Sequence, residues 1–163
     1  MVLYSYIILN LYKIIPIIVT IIFSIVSISP IMPTGSEEIA PLLGIISLSF
    51  WIVYKPDLIG WFAVIILGLL NDALYGSMLG VSCLATIVIR LVIIKLLLKT
   101  DYINIYITFI SICAGLIIWI VVHSMFQTNL YNYYIQIFQF FLSLVISPVI
   151  IFFQLFLLKK MSN

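Results

Sequence analysis

Few side chains in this sequence can do chemistry, and they stand far apart. Asp72 and Arg90 are ionisable groups near the end of one short apolar run and inside the next, and His123 closes a later one. A charge placed among apolar residues is costly unless it reaches water or a partner. Asp72 lies about 8 Å nearer one face than Arg90, at a rise of ~1.5 Å per residue. A guanidinium arm covers much of that gap, which gives two readings. Either Asp72 and Arg90 form an ion pair between neighbouring helices, or Asp72 is solvated at one interface while Arg90 snorkels toward the other. His123 has the ordinary place of an interfacial imidazole. Cys83 and Cys113 lack C-x-x-C spacing and a neighbouring His, so each reads as a small buried hydrophobe.

The elements that position these groups follow from composition. Of 163 residues, 66% are hydrophobic and 7% are charged. A soluble domain is about half apolar and about a quarter charged, so the polar exterior that water requires is missing here. Lipid is the expected solvent. The net charge of +2 includes no basic cluster wide enough to neutralise a run of phosphates, so no nucleic-acid partner is expected. The start, MVLYSYIILNLYK, puts apolar residues before its first Lys, the reverse of a secretory leader, and the first spanning helix is expected to serve for insertion.

A crossing takes about 20 mostly apolar residues. The sequence predicts an all-α integral membrane protein, a single polytopic domain over 1–163. Its spans are placed at about 14–32, 39–54, 58–72, 79–98, 103–122 and 134–158, with residues 2 to 12 as an interfacial or frayed segment. The breaks carry turn-forming residues: Pro33 to Glu38, Lys55-Pro56-Asp57, Asn71 to Gly76, Lys99-Thr100-Asp101 and Gln127 to Asn132. Backbone in lipid must satisfy its own hydrogen bonds, and no run alternates as a barrel strand would. With both termini cytoplasmic, Lys13, Lys55, Lys95, Lys99, Lys159 and Lys160 fall on or toward the inner side, and Glu37, Glu38 and Asp72 at the other. Five crossings would move four of those lysines outside. Trp51, Trp61 and Trp119 read as interfacial anchors. The connecting loops are too short to hold a soluble catalytic domain.

The stretch KPDLIGWFAVIILGLLNDALYGSMLG, Lys55 to Gly80, is the one with a motif. Pro56, Gly60, Gly68, Asp72, Gly76 and Gly80 fall at multiples of four, which on a helix puts Gly60, Gly68 and Asp72 on one face. Glycines there permit close helix approach, whereas Gly76 and Gly80 suit the positive φ of a following turn. Signatures of nucleotide, zinc-protease and serine-hydrolase sites are missing. Gly68 and Asp72 share half of the CDP-alcohol phosphotransferase motif, without the further acidic residues that hold its metals. No enzyme activity, metal or cofactor is expected.

Pro56-Asp57-Leu58-Ile59-Gly60, Gly68-Leu69-Leu70-Asn71-Asp72, Tyr75-Gly76 and Leu79-Gly80 together resemble the signature of the rod shape-determining protein MreD family, in length and topology as well as spacing. The resemblance implies a non-enzymatic, multi-pass subunit of the bacterial elongation machinery in the inner membrane. Its implied partners are an MreC-like single-span protein, the MreB filament, the glycosyltransferase RodA and a class B penicillin-binding protein. The alternative is a substrate-binding subunit of an energy-coupling-factor vitamin transporter, also a six-helix protein. Those subunits dock through small residues of their first helix. Here that helix offers Thr20-xxx-Ser24, with Ser27 and Ser29, and no paired alanines. The missing docking face favours the shape protein.

Overall fold

A computed structural model describes the backbone of residues 2–28, 40–100, 102, 104–126 and 130–162, and their side chains except at 2–13, 130–133 and 161–162. Among the described residues there are six helices, α1 (Val2–Ile28), α2 (Leu43–Tyr54), α3 (Trp61–Tyr75), α4 (Val81–Leu97), α5 (Ile105–Phe126) and α6 (Leu130–Ser162), and no strand. The expected positions of Glu37 and Glu38, and residues 29–32, Ile39, Asp101, Ile103 and 127–129, lie outside the described residues.

Several helix bounds differ from the predicted spans. α1 is continuous from Val2, with Pro16 inside it, so residues 2 to 12 are the first turns of the same helix. A proline there removes one backbone donor, and one turn later Thr20 Oγ1 donates to the Pro16 carbonyl at 2.8 Å. α3 starts three residues later than the predicted run and ends at Tyr75, because Gly60 is extended (ψ 174°) and Gly76 turns left-handed. α5 continues past Val122 to Phe126, its last turns held by His123 and Ser124 side chains that bond the carbonyls of Trp119 and Val121.

The shortest helix is the most enclosed. Every residue of α2 from Leu43 to Val53 is buried. At ~1.5 Å per residue its 12 residues reach only about 18 Å. It packs on α1, α4, α5 and α6, while contacts of α1 with α3, α3 with α4, α4 with α5 and α5 with α6 run around it. Phe23 of α1 meets Phe153 of α6 edge-on, centroids 6.1 Å apart, which closes the remaining seam. Helix starts buried in this way need donors satisfied. Leu42 N–H donates to Ser143 Oγ of α6 at 2.8 Å, and Leu43 N–H to Ser27 Oγ of α1 at 3.1 Å.

α6 has its apolar face outward. Phe138, Phe141, Val145, Val149, Phe152 and Phe156 recur at steps of three and four, and each is at least 60% exposed. Its inward face carries Gln136, Ser143, Ser147 and Gln154, all buried. Gln154 Nε2 donates to Ser47 Oγ of α2 at 2.6 Å, and that oxygen lies 3.2 Å from Thr20 Oγ1 of α1. Among the described residues, two helices are long and apolar enough to cross a membrane, over Ile105–Phe126 and Tyr134–Lys160.

Candidate functional site

The hairpin between α3 and α4 gathers most of the sequence-predicted residues. Its approach is set by Gly68, where an added Cβ would overlap Cys83 Cα and stand 2.7 Å from Thr86 Oγ1. Small residues permit this kind of backbone contact between helices. Thr86 Oγ1 adds a hydrogen bond to the Val64 carbonyl at 3.3 Å, across the same interface. The chain then reverses through Gly76 (φ 62°) and Gly80 (φ 103°), both in the left-handed region that favours glycine. Gly60, by contrast, sits at the start of α3 with open space where a Cβ would go. It therefore does not share the packing face expected of it with Gly68 and Asp72.

Asp72 is 1% exposed near the end of α3. Ser77 Oγ–H donates to its Oδ1 at 2.7 Å, Ser82 N–H donates to the same oxygen at 2.8 Å, and Gly80 N–H donates to Oδ2 at 2.7 Å. Gly80 is the residue at the start of α4 and has no side chain of its own to cap the helix. The carboxylate from α3 takes that place, satisfying two orphan donors of α4 and facing the positive end of its dipole.

Ser82 carries the network onward. Its Oγ lies 3.2 Å from His123 Nε2 on α5, and His123 Nδ1 lies 3.0 Å from the Trp119 carbonyl. A carbonyl only accepts, so Nδ1 bears a proton, and in the neutral imidazole Nε2 accepts from the Ser82 hydroxyl. The ring stacks on Trp119 with centroids 4.1 Å apart. Three helices are thus joined through Asp72, Ser82 and His123. The order differs from a nucleophilic triad, in which the carboxylate orients the imidazole from its far nitrogen. Here that nitrogen bonds the Trp119 carbonyl, and Ser82 is fully buried.

Arg90 takes other partners, and the expected Asp72–Arg90 pair does not form. Its guanidinium donates to the Ile59 and Pro56 carbonyls in the α2–α3 connection and lies 5.0 Å from the centroid of the Trp61 ring. The reason is register. Asp72 is level with Ser82, and Arg90 is eight residues further along α4, about 12 Å at ~1.5 Å per residue. Pro56 therefore contributes a carbonyl to Arg90 at the opposite end from the turn. A recess of about 530 Å³ opens there, lined by Pro56, Asp57, Arg90, Ile94, Leu97 and Leu98. Cys83 and Cys113 are free thiols, half-buried on α4 and α5.

Beside the hairpin is a feature that sequence reading missed. A cavity of about 470 Å³ is bounded by the ends of α1, α3 and α5, the residues leading into α2, and the first half of α6. Tyr75, Ser77, Trp119, His123, Gln136 and Gln139 are among its lining residues. The whole lining comes from five separate stretches, so no local spacing announces it. Among the described residues, no three of His, Cys, Asp and Glu gather as metal ligands would. No protein-family model matches the chain, and neither a curated protein nor a solved structure matches it.

Proposed function

We propose that this chain is a non-enzymatic subunit of the bacterial elongation machinery, of the MreD kind. In this reading it crosses the inner membrane six times, with both termini in the cytoplasm. The membrane part is supported by α6, which turns phenylalanines and valines outward and glutamines and serines inward. Such a face is unfavourable in water and favourable in lipid. Orientation is supported by Lys55, Lys95, Lys159 and Lys160, which stand at the ends of α2, α4 and α6 away from the cavity.

One observation carries the functional reading. Gly68, Asp72, Gly76 and Gly80, the centre of the resemblance to the shape-determining family, all act in fixing how α3 meets α4. They define the hairpin between α3 and α4. That is the work of a binding surface, and an MreC-like single-span protein is the partner this reading assigns to it. MreB, RodA and a class B penicillin-binding protein follow as the assembly around that pair.

Depletion in a rod-shaped host tests the proposal. Cells are expected to widen and round, and a plasmid copy carrying Gly68→Leu is expected to insert in the membrane without restoring the rod. Cells that keep their shape and lose uptake of a vitamin would instead place the chain in an energy-coupling-factor transporter.

A further inference from the structure

At the end opposite the hairpin stands a buried cation with donors to spare. Arg90 is 7% exposed. A guanidinium has five N–H donors. The Ile59 and Pro56 carbonyls each take one, and the buried Nε–H has no partner among the described residues. A buried charged donor without an acceptor is costly, which calls for an acceptor from outside the chain. The recess beside it, about 530 Å³, is within the roughly 300–1,000 Å³ of ligand sites. Its lining is two-sided, with Arg90 and Asp57 polar and Ile94, Leu97 and Leu98 apolar.

Charge narrows the occupant. The acidic residues of the chain are Glu37, Glu38, Asp57, Asp72 and Asp101. Glu37 and Glu38 belong to the stretch joining Ile28 to Ala40, both of which line the cavity at the hairpin end, and Asp72 caps α4 there. Asp57 on the recess remains, with Asp101, which lies outside the described residues. Against them stand Arg90 and the exposed Lys55, Lys95 and Lys99, each lysine next in sequence to a lining residue. Cations outnumber carboxylates at this end even with Asp101 counted. The planar arginine fork matches phosphate oxygens, and basic pockets between helices at the inner membrane face take anionic headgroups. The leucine and isoleucine wall suits the apolar stem of a lipid, which free phosphate lacks.

We infer that this recess seats the headgroup phosphate of an anionic phospholipid on Arg90, with its first methylenes against Ile94, Leu97 and Leu98. The inference rests on the membrane placement proposed above and is independent of the cell-shape role.

Lipid competition tests it. The full chain, extracted from membranes in a mild detergent, is titrated with dioleoyl phosphatidylglycerol and with dioleoyl phosphatidylcholine, and retained lipid is counted by native mass spectrometry. The anionic lipid is expected to bind with a Kd at least about 5-fold lower, the worth of one basic residue facing an anionic lipid. Excess inorganic phosphate is expected not to displace it, and displacement would overturn the lipid assignment. Arg90→Lys keeps the charge and loses the fork, so the Kd is expected to rise about 10-fold. Leu98→Glu places a like charge at an exposed position and is expected to weaken binding about 5-fold. Lys160→Gln, exposed in the last turn of α6, is expected to stay within about 2-fold because solvent screens it. Equal retention of the two lipids, unchanged binding in Arg90→Lys and Leu98→Glu, or an equal loss in Lys160→Gln would overturn the site. The wild-type contrast and Leu98→Glu decide the matter even where Arg90→Lys fails to fold. A chain recovered from cells in the soluble fraction would overturn the membrane placement as well, whereas a membrane-extracted chain without the preference overturns the lipid site alone.

Discussion

Asp72 is the side chain on which the hairpin depends most. Removing it leaves two backbone donors at the start of α4 and the Ser77 hydroxyl without their acceptor. Asp72→Ala is therefore expected to destabilise the protein by roughly 2–4 kcal/mol, read as a lowered melting temperature in detergent. Asp72→Asn keeps the shape but turns an acceptor into a donor, and a loss of about 1–3 kcal/mol is expected. The glycines supply a contrast. Gly68→Ala drives a methyl group into the α4 backbone, for an expected cost of about 1–3 kcal/mol, whereas Gly60→Ala meets open space at φ −66° and should stay within about 0.5 kcal/mol. Equal effects at the two positions would contradict the packing described. The turn glycines were legible in the sequence because positive φ has a residue-type signature. Arg90's partners were not, since a carbonyl at Pro56 or Ile59 belongs to the backbone and leaves no mark on residue type.

At the scale of elements, α3 and α4 are held at both ends by separate devices. Asp72 caps one end, and Arg90 clamps the α2–α3 connection at the other. The two sites share no partner and lie about 12 Å apart along α4. Asp72→Ala and Arg90→Ala should then add, with the double variant within about 0.5 kcal/mol of the summed single losses. A coupling larger than that would revive an electrostatic link between them. Helix number was readable because four of the five breaks between apolar runs carry Pro, Gly, Asp or Lys, and the fifth, Gln127 to Asn132, carries Gln, Thr and Asn. Which helix lies inside was not. Lipid and protein interior both accept Ile, Leu and Phe, so the burial of α2 and the exposure of α6 share one hydrophobic signal. Only the small polar residues betray the difference: Ser47 and Ser49 on α2, and Ser143, Ser147 and Gln154 on α6, face inward.

For the whole molecule, a short central helix with five others around it gives two ends of different character. The end near the hairpin has the cavity with its rings and amides, and the other has the lysines and Arg90. The proposed six crossings predict that a reporter fused after residue 163 lies in the cytoplasm, as does a cysteine placed at Lys99. Labelling of either by a membrane-impermeant maleimide in intact cells would refute that orientation. The cavity itself was beyond sequence reading for a physical reason. Its lining comes together only when the ends of α1, α3 and α5 and the start of α6 are side by side.

The burial of α2 also constrains the order in which the chain can mature. Its 12 residues are fewer than the ~20 that enter a bilayer as an independent span. One of the hydroxyls that caps its start, Ser27, precedes it and is at hand as α2 is synthesised, but the other, Ser143, follows Leu42 by 101 residues. Until α6 leaves the ribosome, α2 has α1 beside it and lacks both its last neighbour and half its cap. A nascent chain stopped before residue 143 should therefore hold α2 against the insertion machinery, where a photo-crosslinker at Phe50 would find it. Release of the full-length chain should move that crosslink onto α5 and α6.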